Sequence, residues 1–169
     1  FRWQALENIA FRGAYSTGFK APTLGQSNVR NVTTAFGTGG ELIDRATLPP
    51  TDPVSQLKGG EQLTPEESES ITFGIVAQFD SGLFITADYY NIELTDRLST
   101  ASGIALTDED IATLISQGIN DASSFSEISF FTNDFDTTTE GVDVVANYSM
   151  EMLGGDTKFS LAYNWTSTV

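Results

Sequence analysis

The chain has 169 residues, and its 8 basic and 23 acidic residues give a formal net charge of −15. This charge argues against nucleic acid as a partner, because neutralising phosphates requires clustered Lys and Arg side chains. The sequence contains neither Cys nor His, which excludes disulfides and thiolate sites and removes the commonest zinc ligand and general base.

The hydrophobic fraction of 40%, with 11% aromatic residues, is too high for a disordered acidic tail, so we expect a folded chain. No run of residues approaches the roughly 18 apolar positions that a transmembrane helix needs. The first residue is Phe without a following secretory signal, and residues 163–169 read as the middle of a strand. We therefore expect the chain to be part of a longer polypeptide.

The first predicted strand lies near residues 7–16, where alternate positions such as Phe11 and Tyr15 share an apolar face. A long loop over residues 17–65 follows it and is rich in Gly, Thr, Asn and Pro. Structureless loops longer than about 12–15 residues are uncommon in compact domains.

The second and third predicted strands lie near residues 68–79 and 83–95, and both alternate apolar with small or polar residues. Only Asp80–Gly82 separates them. A strand, a short Asp/Ser/Gly connection and a second strand predict a β-hairpin.

A second long loop, residues 96–126, contains the pattern of one short helix. Thr107 is its expected N-cap, with Asp110 three residues later in a variant of the capping box. Leu114 belongs to its apolar face, and Gly118 is the expected stop.

The fourth and fifth predicted strands lie near residues 129–149 and 157–168, joined by a short turn at Met150–Asp156. Each again offers one apolar and one polar or small-residue face. Two architectures satisfy this pattern: a soluble sandwich that buries the apolar face, and a membrane barrel that turns it to lipid.

Strand and loop lengths favour the barrel. The segment 83–95 is about twice the usual strand length of 5–6 residues, and at roughly 3.3 Å per residue and a tilt near 45° it would cross about 30 Å. Short links on one side and long loops on the other are typical of outer-membrane barrels. We therefore predict an all-β chain: an antiparallel meander of about five long strands from a large transmembrane barrel, with one short helix in an outer loop.

Few residues are candidates for binding chemistry. Arg30 and Arg45, in the first long loop, are the candidate contacts for an anionic ligand, with ordinary solvation as the alternative. The acidic clusters at Asp108–Asp110 and around Asp134 do not match the spacing of a calcium loop, so we predict no metal site and no cofactor.

Without His or Cys, an enzyme would have to use a pair of carboxylates or a Ser-Lys arrangement as its catalytic groups. No spacing in the sequence singles out such a set, so we predict no catalytic residue. A soluble or surface β-rich module that binds a ligand or mediates adhesion is the alternative to a membrane transporter.

Four segments, in order and at matching spacing, resemble motifs of the TonB-dependent receptors. Residues 11–23 (FRGAYSTGFKAPT) are similar to the motif in which a barrel strand enters an outer loop, and residues 63–68 (LTPEES) to the one that opens the next strand. The other two are residues 87–98, with ADYYNI and then DRL, and residues 133–144, which contain TEGVD.

This resemblance implies a barrel of about 22 strands that encloses a plug domain, in the outer membrane of a Gram-negative bacterium. It implies as partners the membrane lipid and lipopolysaccharide, the protein's own plug, and the TonB energy-coupling protein acting through a plug segment outside this chain. The implied function is uptake of a scarce ligand such as an iron-siderophore, cobalamin or a carbohydrate.

Most motif residues are expected to have structural roles. Gly13 would remove bulk where strands curve, and proline marks changes from strand to loop. Asp88, on the inner face, would bond to the plug or to a neighbouring strand, and Arg97 to Asp96 or to lipopolysaccharide phosphates. The residues assigned to this structural class are Gly13, Pro22, Pro65, Asp88, Tyr90, Arg97 and Gly141.

Overall fold

The computed structural model describes residues 1–36 and 39–169, and most of them lie in β-strands. The eight strands are β1 (Arg2–Leu6), β2 (Ile9–Lys20), β3 (Asn31–Phe36), β4 (Leu42–Thr47), β5 (Glu66–Gln78), β6 (Leu83–Ala105), β7 (Glu127–Met152) and β8 (Gly155–Thr168). The helices are α1 (Leu24–Asn28), α2 (Pro53–Leu57), α3 (Asp108–Ser116) and a 3₁₀ helix (Asn120–Ser124). The all-β prediction is confirmed.

The chain divides into two compact units. The strand unit comprises Phe1–Phe19, Glu67–Thr95 and Asp136–Val169, and the loop unit comprises Lys20–Glu66 and Asp96–Phe135. β6 and β7 contribute residues to both. No described helix is long and apolar enough to cross a membrane.

In the strand unit the strands follow the order β1-β2-β5-β6-β7-β8, and the sheet formed by the described residues is open. The hairpin predicted at Asp80–Gly82 is present: β5 and β6 pair antiparallel, with Gly74 opposite Asp88. β7 and β8 form the second long antiparallel pair. These neighbours form the predicted meander of long strands.

The observed strand bounds differ from the predicted ones. The strand expected near residues 7–16 corresponds to β2, which runs from Ile9 to Lys20, and it pairs with an unpredicted strand, β1. β6 continues to Ala105 instead of ending near residue 95. β7 likewise extends beyond both predicted ends, from Glu127 to Met152. Strands persist where a neighbour supplies hydrogen bonds, whether or not their own residues alternate.

The region predicted as a long loop over residues 17–65 is itself folded. It contains α1, the antiparallel β3–β4 hairpin and α2. β4 also pairs parallel with β7 over Arg45–Thr47, a pairing that lies outside the predicted antiparallel meander. The partner of β4 lies about eighty residues away, so the local pattern does not reveal this pairing.

One face of the strand unit is apolar and exposed. Trp3, Phe11 and Phe73 stack on it with ring centroids 5.8 and 6.0 Å apart. On β8, Leu161 is 67% exposed and Trp165 is 44% exposed. No described residue buries this face in the way that the core of a soluble sandwich would.

The loop unit has a hydrophobic core of its own. The helix predicted in the second loop is present as α3, where Thr107 and Asp110 form the capping box and Leu114 is fully buried. Gly118 follows the helix with a φ of 87°, as its predicted role as a stop requires. The buried residues of this core are Ala46, Leu48, Val54, Leu114, Ala122, Phe125, Ile128 and Phe130.

Candidate functional site

A half-buried asparagine links separate segments of the loop unit. The Asn133 Oδ1 accepts a hydrogen bond from the Thr64 N–H at 2.9 Å, while its Nδ2 donates to the Thr64 carbonyl at 3.0 Å and to the Asp96 carbonyl at 2.5 Å. Asp96 has a φ of 53°, in the left-handed region. One side chain thus satisfies three backbone groups just before β5 and within β6.

Glu66 lies in the same part of the loop unit. Its carboxylate accepts a hydrogen bond from the Lys20 Nζ at 2.7 Å and another from the Leu98 N–H at 2.8 Å. The Lys20 ammonium, followed by the Leu98 N–H, lowers the pKa of the Glu66 carboxyl below its usual value. We call Lys20, Thr64, Glu66, Asp96, Leu98 and Asn133 the Asn133 cluster.

A polar cavity of about 340 Å³ adjoins the Asn133 cluster within the loop unit. Six polar residues line it together with Gly59: Glu61, Gln62, Thr64, Asp96, Thr132 and Asn133. Two of the six are carboxylates, and none is basic. The cavity therefore presents hydrogen-bonding groups and negative charge.

The two predicted ligand-contact arginines lie apart from this cavity and are engaged with carboxylates. Arg30 donates to Asp52 at 2.8 Å and to Asp121 at 2.7 Å. Arg45 on β4 pairs with Glu127 on β7 at 2.7 Å, where those two strands run parallel. The structure gives both arginines roles in joining segments of the loop unit.

An ion pair also joins α2 to α3. The Lys58 Nζ lies 2.5 Å from the Asp110 Oδ2, and Asp110 also accepts hydrogen bonds from Thr107 within the capping box. The Lys58 ammonium, with the Thr107 donors next in effect, lowers the pKa of the Asp110 carboxyl to about 2.

In the strand unit, a glycine makes room for an ion pair that spans three strands. Arg12 on β2 donates to both carboxylate oxygens of Asp88 on β6, at 2.7 and 2.5 Å, across the intervening β5. A Cβ at Gly74 would meet the Asp88 carboxylate and lie 3.1 Å from the Arg12 Nε. We expected Asp88 to bond either to the plug or to a neighbouring strand. The structure shows it bonded to an arginine of β2, one strand beyond its direct neighbour β5.

A second glycine on the same face accommodates an aromatic ring. The Tyr90 hydroxyl on β6 hydrogen-bonds with the Thr166 hydroxyl on β8 at 2.7 Å. A Cβ at Gly141, on the intervening β7, would lie 2.5 Å from the Tyr90 Cζ and 2.6 Å from the Trp165 carbonyl oxygen. Both motif residues therefore serve one cross-strand contact.

Among the described residues, no group of acidic side chains is arranged to hold a metal ion. The family model "TonB dependent receptor-like, beta-barrel" matches residues 1–169. The chain belongs to this family. No curated protein matches it.

A solved structure shares the fold of this receptor barrel chain. The siderophore receptor PirA from Pseudomonas aeruginosa superimposes with a TM-score of 0.59 at 16% sequence identity. The match covers 99% of this chain and 27% of the PirA chain. At this level of identity the likeness shows the fold alone.

The other receptor motif residues have identifiable surroundings. A Cβ at Gly13 would lie 2.7 Å from the Phe1 ring and 3.2 Å from the Thr72 carbonyl oxygen. Pro22 and Pro65 directly precede the N-cap of α1 and the start of β5. Arg97 lies with its guanidinium carbon 5.0 Å from the centre of the Phe135 ring, and it has further contacts.

The Asn133 cluster brings together all four receptor motifs, and the sequence did not identify it as a site. Lys20 lies within the first motif and Glu66 within the second, while Asp96 belongs to the third and Asn133 opens the fourth. An asparagine at the start of a strand is a weak sequence signal, because asparagine is common in loops. Its partner Thr64 is 69 residues away in the chain.

Proposed function

We propose that this chain is part of the β-barrel of a longer outer-membrane transporter in a Gram-negative bacterium. The transporter takes up a scarce ligand, such as an iron-siderophore, cobalamin or a carbohydrate, and it is not an enzyme. The observation that carries the proposal is the family match over residues 1–169. The two different faces of the strand unit support it.

The apolar face of the strand unit fits contact with lipid. Three of its large side chains on β8, Phe159, Leu161 and Tyr163, are each more than half exposed. Exposed apolar surface of this extent is costly in water and favourable in a hydrocarbon layer. Under this proposal the strands of the strand unit cross the outer membrane.

The opposite face fits a polar barrel interior that holds the protein's own plug. Its polar groups already pair across strands: Asp143 accepts from Asn164 at 2.6 Å, and Asn147 accepts from Ser160 at 2.7 Å. Paired groups can face a hydrated interior without the cost of unsatisfied donors and acceptors. The plug, through a segment outside this chain, would contact TonB.

The loop unit, which contains most of the two segments predicted as outer loops, would contribute to ligand capture. It has its own hydrophobic core, so it can hold a defined surface, and it contains the polar cavity beside Asn133. PirA, whose structure shares this fold, is a siderophore receptor, which makes ferric chelates the first ligands to test.

The test is ligand uptake by cells that express the full-length protein. Radiolabelled ferric siderophores, cobalamin and maltodextrins are supplied to cells with and without a functional TonB, and membrane fractions are assayed for the protein. We expect the protein in the outer membrane and TonB-dependent accumulation of one ligand class. Recovery of the protein in a soluble fraction, or equal uptake with and without functional TonB, would contradict the proposal.

A further inference from the structure

The turn between β7 and β8 carries an exposed leucine in an unfavourable backbone conformation. β7 ends at Met152, which pairs with Gly155 at the start of β8, so the turn consists of Leu153 and Gly154. Both turn residues have positive φ angles, 56° at Leu153 and 79° at Gly154. Two-residue hairpin turns of this kind favour Asn-Gly, because in the left-handed region the Cβ of most residues lies too close to the following carbonyl oxygen. Local backbone preference therefore does not account for Leu153.

The apolar face of β7 continues as far as this turn. Side chains at alternate positions of a strand share a face. On this face of β7 every residue from position 142 onwards is apolar or aromatic: Val142, Val144, Ala146, Tyr148, Met150 and Met152. Leu153 follows directly, and its side chain is 99% exposed. The described residues thus leave an apolar surface uncovered up to the tip of the hairpin.

Carboxylates and tyrosines occupy the other end of the same face. Glu140 precedes Val142 on this face of β7, and the Tyr89 hydroxyl of β6 donates to it at 3.1 Å. The Tyr15 hydroxyl of β2 hydrogen-bonds to Glu69 of β5 in the same way. A carboxylate is costly in hydrocarbon, whereas a tyrosine ring with its polar hydroxyl favours the interface between membrane and water. In a membrane, the hydrocarbon boundary at this end would lie near Glu140.

The length of chain between Glu140 and the turn matches the thickness of one membrane. Leu153 lies thirteen residues beyond Glu140. At roughly 3.3 Å per residue and a tilt near 45°, a strand of this length crosses about 30 Å, which is the thickness of the hydrocarbon layer. With Glu140 at one hydrocarbon boundary, Leu153 would therefore reach the other.

We propose that the β7–β8 turn inserts into the lipid of the outer membrane, with Leu153 at the boundary between the acyl chains and the headgroups. The inference rests on the proposed function, since it requires the strand unit to cross a membrane. Lipid is the occupant that the observations favour, because the apolar face continues into the turn and its length from Glu140 fits one hydrocarbon layer. Removal of the leucine side chain from water offsets the unfavourable backbone conformation.

The experiment uses spin labels on the purified full-length receptor in phosphatidylcholine vesicles. Single cysteines are introduced as Leu153→Cys, as Leu161→Cys on the apolar face of β8, and as Glu151→Cys on the opposite face of β7. Any cysteine outside this chain is replaced by serine. Each label's collision rates with oxygen, which concentrates in lipid, and with a water-soluble nickel chelate are measured by electron paramagnetic resonance. We expect a high ratio of oxygen to nickel collisions at Leu153→Cys and Leu161→Cys, and a low ratio at Glu151→Cys.

The variant Leu153→Asn distinguishes lipid from water by the sign of its effect. Asn-Gly suits this turn, so in water the substitution would stabilise the receptor. In lipid the loss of an apolar side chain outweighs that gain, and the equilibrium constant for folding should fall about tenfold. Leu153→Met keeps an apolar side chain and is the matched control, for which we expect little change. Urea titration of the receptor in the same vesicles measures both variants.

Three results would overturn the inference: nickel collisions as frequent at Leu153→Cys as at Glu151→Cys, shielding of the Leu153→Cys label from both probes by a protein partner, or a stabilised Leu153→Asn receptor. The label at Leu161→Cys separates these results from a failure of the proposed function. If only Leu161→Cys contacts lipid, the strands still cross the membrane and the inference about the turn alone is wrong. If neither label contacts lipid, the proposed function is wrong as well.

Discussion

Removal of the Asn133 side chain is the most direct test of the hydrogen bonds that join segments of the loop unit. Replacing Asn133 with Ala removes three hydrogen bonds to backbone groups of Thr64 and Asp96. A typical hydrogen bond contributes about 1 kcal/mol net. Because Thr64 and Asp96 are exposed and can regain water partners, we expect a loss of about 2 kcal/mol, less than the full sum.

The appropriate assay is amide hydrogen exchange of the full-length receptor, followed by mass spectrometry. A loss of about 2 kcal/mol corresponds to roughly thirty-fold faster exchange where local opening governs it. We expect this acceleration in peptides covering residues 60–66 and 94–100. Peptides from the turn end of the β7–β8 hairpin, residues 145–160, should be unchanged, since the side-chain hydrogen bonds of Asn133 go to Thr64 and Asp96.

A second variant and a control variant test whether the hydrogen bonds of Asn133 cause the protection. Asn133→Asp keeps one acceptor for the Thr64 N–H but places a carboxylate against two carbonyl oxygens, so it should exchange at least as fast as Asn133→Ala near neutral pH. Asn28→Ala, which removes one exposed hydrogen bond to Leu24, should change little. Wild-type protection in the Asn133→Asp protein, or acceleration spread evenly over all peptides, would refute the proposed role.

Three further predictions concern stability and pH. Gly74→Ala places a Cβ against the Asp88 carboxylate and should lower the free energy of unfolding by about 1–3 kcal/mol, measured by denaturant titration of the receptor in detergent. Gly141→Ala should cost more, about 2–4 kcal/mol by the same titration, because its Cβ meets a backbone carbonyl as well as the Tyr90 ring. The Asp110 pKa of about 2 lies below its usual value, so the stabilisation from the Lys58 pair is complete above about pH 4 and is lost as the pH falls towards 2; hydrogen exchange of α3 peptides should show this loss.

Each of these predictions has a matched control. Gly155→Ala introduces a Cβ with no neighbour within 4 Å and a permitted backbone, so it should leave the denaturation midpoint unchanged. In the Asp110→Asn protein, the protection of α3 amides, relative to the intrinsic exchange rate at each pH, should no longer fall between pH 4 and pH 2. If Gly155→Ala destabilises as much as Gly74→Ala, steric contact is not the cause.

The strand faces illustrate what was predictable from sequence. The alternation in β8 assigns Leu161 and Tyr163 to one face, and the structure places both on the exposed apolar face. The capping box of Thr107 and Asp110 was predictable as well, because its partners are three residues apart. The β3–β4 hairpin was not predicted, because its stability comes from pairing with β7 and from a core assembled from distant segments.

The candidate site was less predictable than the fold. Arg30 and Arg45 were selected because they are cations in a long loop, but the sequence does not show that carboxylates at Asp121 and Glu127 would engage them. Asn133 lies in a recognisable motif, but the motif does not indicate which groups its side chain binds. The identity of a side chain does not indicate which distant backbone groups it will contact.

Local sequence was sufficient to assign side chains to strand faces and to place the ends of α3, since side-chain direction in a strand and a helix cap depend on neighbours a few residues away. It could not show that Arg12 pairs with Asp88, 76 residues distant, across Gly74, which has no side chain to obstruct the contact. The same holds for the three hydrogen bonds of Asn133. Such contacts depend on strand order and register, which arise from the packing of the whole chain and not from local preference.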